Sequence, residues 1–270
     1  MKKKQWAICK ILCVLCCYFF VVSCNKTDTT PENFIVTDEK PMASMAAAAV
    51  VVPMKLDKET YSSSFNKYSY DAAGRCIRID MGQSYITYSY RGNTVIGTTG
   101  YTDPTKAKIV RTYTLNSLGL AATCTYTIGT KNHIIEYVYN SNRQVTKITH
   151  KSKLNTRSVY STDDTNIYVY NADGNNHTRT YQLSLVKVTF NYVYDKTYLN
   201  TTGNEFKGLD WLGKGSKNVL SFWFAVTESF YPSYSNSISE RTNYNWIFDA
   251  QGYNKQYTTS GGSIAKFTYK

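Results

Sequence analysis

The sequence predicts an all-β protein: a large curved or barrel-like antiparallel sheet of repeated hairpins, with one short helical excursion near residues 204–213. Three observations carry that prediction. First, aromatic and polar residues alternate. Tyr68 and Tyr70 share a face, as do Tyr88 and Tyr90, Tyr137 and Tyr139, and Tyr168 and Tyr170. Val186, Val188, Phe190, Tyr192 and Tyr194 form one long stripe, and Tyr244, Trp246 and Phe248 another. A period of two in β-branched and aromatic residues marks half-buried strands. Second, one short phrase recurs. Tyr70-Asp71-Ala72-Ala73-Gly74 is followed by Leu115-Asn116-Ser117-Leu118-Gly119, Tyr170-Asn171-Ala172-Asp173-Gly174 and Phe248-Asp249-Ala250-Gln251-Gly252. Third, the chain carries 25 Tyr against 11 Phe and 4 Trp, and Tyr is a strand former.

Each copy of the phrase is an apolar residue, then Asp or Asn, two free positions, and Gly. Asp71, Asn116, Asn171 and Asp249 are preferred first residues of a type I turn, because the side chain bonds the backbone ahead. Gly74, Gly119, Gly174 and Gly252 take φ > 0 and restart the next strand, a common hairpin connection. Degenerate copies follow Tyr90, Tyr139 and Tyr194. In the first two, Asn93 and Asn142 are expected to supply the left-handed residue. The third opens a long loop. The first six copies fall 20 to 31 residues apart, a hairpin-sized repeat.

From the N-terminus, Lys2-Lys3-Lys4 is a positive region and Ile11 to Val22 an apolar run too short to span a membrane. The run ends Val21-Val22-Ser23-Cys24, which resembles the lipobox of bacterial lipoproteins. That resemblance implies a signal peptide over 1–23, cleavage before Cys24 and acylation of Cys24. Residues 24–53 are then the lipidated Cys and a polar tether, with an Ala- and Val-rich end that suits a strand over 46–52. Residues 54–270 are the β-hairpin domain. Two or three acyl chains anchor firmly, since each buried CH₂ contributes about 0.8 kcal/mol. Of the seven Cys, Cys76 and Cys124 alone stand in the body. They are expected on strands, as buried thiols or as a pair.

The net charge is +12. Removing Lys2, Lys3, Lys4 and Lys10, which stand before Cys24 with no acidic residue among them, leaves +8. Beyond the first ten residues there is no Lys/Arg run, so no nucleic-acid partner is expected. Anionic glycans or lipopolysaccharide fit such a surface.

The long loop, Thr197 to Lys217, places Phe206, Leu209 and Leu212 at helical spacing and ends at Gly213. It leads into Val219-Leu220-Ser221-Phe222-Trp223-Phe224, a strong β run. Chemistry is sparse. His133, His150 and His177 have no second ligand at metal spacing, so neither a metal site nor a cofactor is expected. Asp163-Asp164 is adjacent, which puts the two carboxylates on opposite faces of an extended chain, and is expected in a loop. No catalytic set is visible. Trp211, Trp223 and Trp246 are candidate ligand-binding platforms, because aromatic faces stack on sugar rings; the alternative is that they fill the core.

Two resemblances complete the reading. Tyr70-Asp71-Ala72-Ala73-Gly74-Arg75-Cys76-Ile77 is similar to the tyrosine–aspartate repeat of large shell-forming surface and toxin proteins, a hairpin signal. The lipobox, the degenerate hairpins, the excursion Leu209-Asp210-Trp211-Leu212-Gly213-Lys214-Gly215-Ser216-Lys217 and the last Phe248-to-Tyr253 hairpin together resemble a Bacteroidetes-type lipoprotein family of unknown function with a porin-like fold. The resemblance implies a curved or barrel-like sheet in the cell envelope, at the outer membrane, and no activity. A lipid-facing strand face is mostly aliphatic. The faces opposite the Tyr stripes carry Ser69, Thr87, Glu136 and Asn191, so a tethered body is expected rather than an embedded pore. The function expected is a non-enzymatic envelope lipoprotein, ligand (glycan)-binding or structural, held at the membrane by the acyl chains on Cys24. A glycan-active hydrolase with dispersed carboxylates, or an accessory subunit partnering an envelope protein of an outer-membrane complex, are the alternatives.

Overall fold

A computed structural model of the chain describes residues 54–184, 186–207, 209–229 and 237–270. The signal peptide expected over 1–23, Cys24, the tether expected after it and the strand considered over 46–52 lie outside the described residues. The body is a closed barrel of 16 antiparallel strands. In chain order they are β1 (Leu56–Tyr61), β2 (Phe65–Tyr70), β3 (Cys76–Asp80), β4 (Ser84–Arg91), β5 (Thr94–Tyr101), β6 (Ile109–Leu115), β7 (Ala121–Ile128) and β8 (Lys131–Tyr139). Then come β9 (Val145–Leu154), β10 (Ser161–Tyr170), β11 (Asn176–Gln182), β12 (Val186–Leu199), β13 (Asn218–Ser229), β14 (Ser237–Phe248), β15 (Asn254–Thr259) and β16 (Ile264–Tyr269). Each strand pairs with its sequence neighbours, and β1 pairs with β16 through Glu59↔Phe267 and Tyr61↔Ala265, so no edge is left open.

Alternate connections lie at alternate ends of the barrel. All the Asp/Asn-x-x-Gly turns fall at one end, with the start of β1 and the finish of β16. The turn geometry is uniform. Gly74, Gly119, Gly174 and Gly252 donate N–H to the carbonyls of Asp71, Asn116, Asn171 and Asp249 at 3.0, 2.9, 3.0 and 3.1 Å. All four have φ between 72° and 85°. The carboxylate of Asp71 accepts from the backbone N–H of Ala73 and Arg75, at 3.0 and 2.9 Å, and Asp249 does the same for Gln251 and Tyr253. The side chain thus closes the turn from both sides.

Two degenerate turns differ from expectation. Between β4 and β5 the left-handed residue is Gly92, φ 56°, not Asn93. The hairpin has only two linking residues, and a II′ turn puts its positive φ at the first of them. Between β8 and β9 it is Arg143, φ 65°, not Asn142. There the tetrad keeps its register, so the fourth position takes the left-handed conformation although it is not Gly.

The excursion over 200–217, between β12 and β13, carries the short helical element expected near 204–213 as one 3₁₀ turn, Asp210–Leu212, preceded by turns over 204–207. The chain reverses too tightly for a longer α-helix: Leu209 N–H bonds Asn204 carbonyl at 2.9 Å, and Gly213 follows at φ 85°. A Cβ at Gly213 would stand 2.7 Å from Arg143 carbonyl oxygen and 2.8 Å from the Tyr139 ring, so only glycine passes there.

Side chains alternate across the wall. Tyr88, Tyr90, Tyr113 and Tyr137 pack on the buried core and therefore face inward. Their neighbours Thr87, Thr112, Thr114 and Glu136 face outward. Cys76 and Cys124 are buried and unpaired, and burial pushes both thiols up to about 11. They are inert small packing residues rather than a bridge.

The tetrads generate a stability prediction. Val at Gly252, where a Cβ would meet nothing within 4 Å, probes backbone strain alone. Gly252→Val and Gly74→Val should each cost about 1–2 kcal/mol. Urea midpoints equal to that of the native protein would contradict the strain at these turns.

Candidate functional site

A barrel of 16 strands is wide enough to leave a channel. Here one end is filled. The segment 200–217 folds into the barrel at the tetrad end and carries its apolar residues inward. Trp211 is 6 % exposed. Its ring meets Tyr113 edge-on at 4.5 Å and Tyr88 at 5.8 Å. Leu209 is buried beside it, and Phe206 packs on the same core. These contacts come from the excursion on one side and from β4 and β6 on the other, so the segment is a plug.

Hydrogen bonds stitch the plug around the rim. Leu56 N–H donates to Phe206 carbonyl at 2.8 Å. Gln144, in the turn after β8, donates from Nε2 to Gly174 carbonyl at 2.6 Å and Gly215 carbonyl at 3.2 Å. Two fully buried asparagines clamp the plug's ends. Asn175 exchanges bonds with Asn218, through Nδ2 to Oδ1 at 2.9 Å and from Asn218 N–H to Asn175 Oδ1 at 2.7 Å. Asn254 accepts from Thr201 Oγ1 at 2.7 Å and donates its N–H back at 2.9 Å. A buried amide costs free energy unless paired, so these pairs fix the plug's position.

One ion pair ties the plug to the inner wall. Glu59 of β1 is 3 % exposed and lies 2.8 Å from Lys207 of the plug. Tyr68 hydroxyl and Asn66 Nδ2 donate to the same carboxylate at 2.6 and 3.0 Å. Burial pushes the Glu59 carboxyl up, but the Lys207 charge and these hydrogen bonds outweigh it, and the net shift is downward.

The other half of the barrel is lined by half-buried polar and aromatic side chains in a nearly continuous belt. Arg111 of β6 donates to Thr99 hydroxyl at 2.8 Å and lies 5.1 Å from the Tyr126 ring. Tyr126 stacks on His133 at 4.7 Å, with planes 7° apart. On β9 and β10, His150 Nδ1 meets Asp164 at 2.9 Å, and Ser152 hydroxyl donates to Asp163 at 2.8 Å. Both adjacent carboxylates therefore reach the same face of β9, and they sit on a strand, not in a loop. The reason is a bulge between Thr162 and Asp164 that cancels the alternation. The belt continues through Asn166 to Arg179, whose Nε donates to Asn166 Oδ1 at 3.0 Å, then to Phe190 and Trp223. Trp223 Nε1 donates to Tyr244 hydroxyl at 3.2 Å, and Tyr244 meets Tyr257 edge-on at 5.2 Å. Burial lowers the His133 pKa, which favours the neutral ring at pH 7. Burial also pushes the Tyr192 hydroxyl up to about 12.

Of the three tryptophans picked from sequence, Trp211 is buried in the plug between Tyr88 and Tyr113, and its faces are taken. Trp223 stands in the belt. Trp246 lies between, half-buried against Tyr257 and Phe267, with Nε1 donating to Leu220 carbonyl at 2.7 Å. Sequence reasoning missed Glu59, Lys207, Arg111, Arg179 and the two clamp asparagines. A signal existed for the last two: a polar Asn stands where the strand restarts after Gly174 and Gly252, and Leu or Cys holds the neighbouring position in other copies. At the outer side of the plug, Arg143, Glu205, Asp210 and Lys214 line a small cleft of about 270 Å³. Among the described residues no group of three or more His, Cys, Asp or Glu could hold a metal ion.

The outer wall is of a different character. Thr87 pairs with Thr98, Thr112 with Thr125, and Thr94 with Thr114. Glu136 holds Lys151 at 2.7 Å, and Arg78 holds Asp80 at 3.1 Å and lies 4.1 Å from the Tyr85 ring. Exposed Val110, Val138, Ile167 and Ile247 are scattered among them.

No protein-family model matches the chain, and no curated protein is significantly similar to it. Solved structures that share its fold include two porin-like proteins. A porin-like protein from Bacteroides uniformis is 16% identical, with a TM-score of 0.57 over 81% of this chain and 98% of its own. A porin-like protein from Bacteroides vulgatus is 14% identical, with a TM-score of 0.56 over 80% and 99%. The likeness is one of fold: the barrel built from hairpins recurs in both at low identity.

The ion pair makes stability pH-dependent with a defined sign. The folded pKa of Glu59 lies below its unfolded value. Its contribution is present above about pH 4 and lost as the pH falls through the folded value. Glu59→Gln should cost about 3 kcal/mol at pH 7 by leaving Lys207 without its counter-charge. The same variant should flatten the acid limb of a melting-temperature profile. An unchanged acid limb would rule out Glu59 as its source.

Proposed function

We propose that the chain is a lipid-anchored envelope protein whose barrel binds a ligand, of the glycan class, in its open half, without catalysing a reaction. The observation that carries this reading is the inversion of the two walls: aromatic inside, hydroxyl-rich and charged outside. A barrel embedded in lipid needs an apolar outer band, and a Lys or Arg at mid-bilayer depth costs about 2–4 kcal/mol. The outward Lys151, Glu136 and Arg78 fit water instead. Strand length argues the same way. Strands β1 to β3, β15 and β16 have five or six residues each, against about 9–11 for a membrane crossing. With the plug across one end, the interior is a cup and not a conduit. Membrane attachment then falls to Cys24 and its acyl chains, ahead of the tether.

Aromatic rings beside hydroxyls, amides and charges suit a sugar, which has apolar ring faces and a polar rim. The fold likeness to the porin-like proteins and the lipobox-like sequence together support an envelope location at the outer membrane. Asp163 and Asp164 are each occupied by a neighbouring donor, which favours binding over hydrolysis.

Two measurements test the reading. Cys24→Ala should move the protein from the membrane pellet to the soluble fraction, and retention in the pellet would show another anchor. A glycan array probed with the full chain in neutral detergent should show binding that Trp223→Ala weakens by about 0.5–1.5 kcal/mol, two- to tenfold. A silent array with a specific envelope protein recovered by pull-down would favour the accessory-subunit role instead.

A further inference from the structure

Three acidic groups inside the barrel, Glu59, Asp163 and Asp164, are engaged, and among the described residues two inward cations lack an acidic partner. Glu59 holds Lys207, Asp163 accepts from Ser152, and Asp164 pairs with His150. Outside the lumen, Arg75 lies 2.7 Å from Asp71 and Arg78 lies 3.1 Å from Asp80. Arg111 and Arg179 face inward, and neither has a carboxylate partner among the described residues. Each is held by neutral oxygens and aromatic rings. Arg111 uses Thr99 hydroxyl and the Tyr126 ring; Arg179 uses Asn166, the Tyr192 hydroxyl and the Phe190 and Tyr168 rings, 5.5 and 5.9 Å from its Cζ. A guanidinium carries five N–H donors, so one or two neutral acceptors still leave donors for an incoming group. Its planar fork also suits a two-point contact with a carboxylate or sulfate.

The two arginines stand on β6 and β11. Five strand spacings separate them, on the order of 24 Å along the wall. One small anion cannot meet both, whereas a chain of sugars can. Between and beside them the Tyr126–His133 stack and the Phe190–Trp223 pair offer ring faces. We propose that the open half of the barrel binds an acidic oligosaccharide, with Arg111 and Arg179 each taking a carboxylate or sulfate group and the flanking rings stacking the sugars. This narrows the ligand-binding reading above and rests on it. A neutral glycan would leave both guanidinium groups unanswered in a partly desolvated lumen, and an uncharged wall would serve it better.

The test is calorimetric titration of the full chain in neutral detergent with hexagalacturonate, a sulfated chondroitin hexasaccharide and neutral maltohexaose. At least one acidic probe should bind, about tenfold more weakly in Arg111→Gln and in Arg179→Gln, with Arg75→Gln unchanged. Binding should also weaken as NaCl rises from about 50 to about 500 mM. Arg111→Lys and Arg179→Lys keep the charge if a Gln variant fails to fold, and should lose part of the affinity through loss of the fork. Acidic probes that bind no better than maltohexaose, or bind the Gln variants at full strength, overturn the acidic class and leave the glycan reading standing. Failure of all three probes overturns both. Inorganic sulfate binding as tightly as the sulfated hexasaccharide would overturn the saccharide and assign the site to a free anion.

Discussion

A sheet closed from 16 strands encloses more space than its own side chains can fill, and everything else in this protein answers that constraint. The segment over 200–217 answers it by folding inward. It does so at the end where the wall is already dense with tyrosine, so Trp211 lands between Tyr88 and Tyr113. The inserted backbone needs partners for its own N–H and C=O groups, and the rim supplies them through Gln144, Asn175 and Asn254. The hairpin turns are therefore more than chain reversals. By standing at one end, they bring their trailing residues to the place where the plug must be held.

The same constraint explains the unusual distribution of polarity. In a pore the inner wall meets water and the outer wall meets lipid. Here the inner wall at the plugged end must pack, so it is aromatic, and the outer wall carries Thr, Lys and Glu. A buried ion pair sits at the seam between plug and wall. Such a pair contributes little net stability, because desolvation offsets attraction. Its effect is on register: Lys207 has one carboxylate to meet, and Tyr68 and Asn66 fix where that carboxylate points.

The open half follows different rules. Its side chains are half-buried and linked to one another in a ring of hydrogen bonds and stacked faces. This arrangement holds each group in place. The bulge in β10 contributes directly, since it turns Asp163 and Asp164 to one side and lets them orient Ser152 and His150.

The sequence by itself determined the all-β class, the hairpin pattern and most of the turns. Those features are local: a period of two, and an Asp or Asn that bonds a backbone group two to four residues ahead. It placed the turn glycines correctly wherever the tetrad was intact, and went astray at Gly92 and Arg143, where loop length and contact with the plug choose the left-handed residue. Tertiary structure alone decided that the excursion runs inward and that its helical part is a single 3₁₀ turn. It alone brought Glu59 to Lys207, Asn175 to Asn218 and Arg111 to the Tyr126–His133 stack. These partners are joined by closure of the barrel, or by a bulge that breaks the alternation. Neither leaves a mark in the spacing of residues along the chain, because both depend on which strand meets which across the sheet.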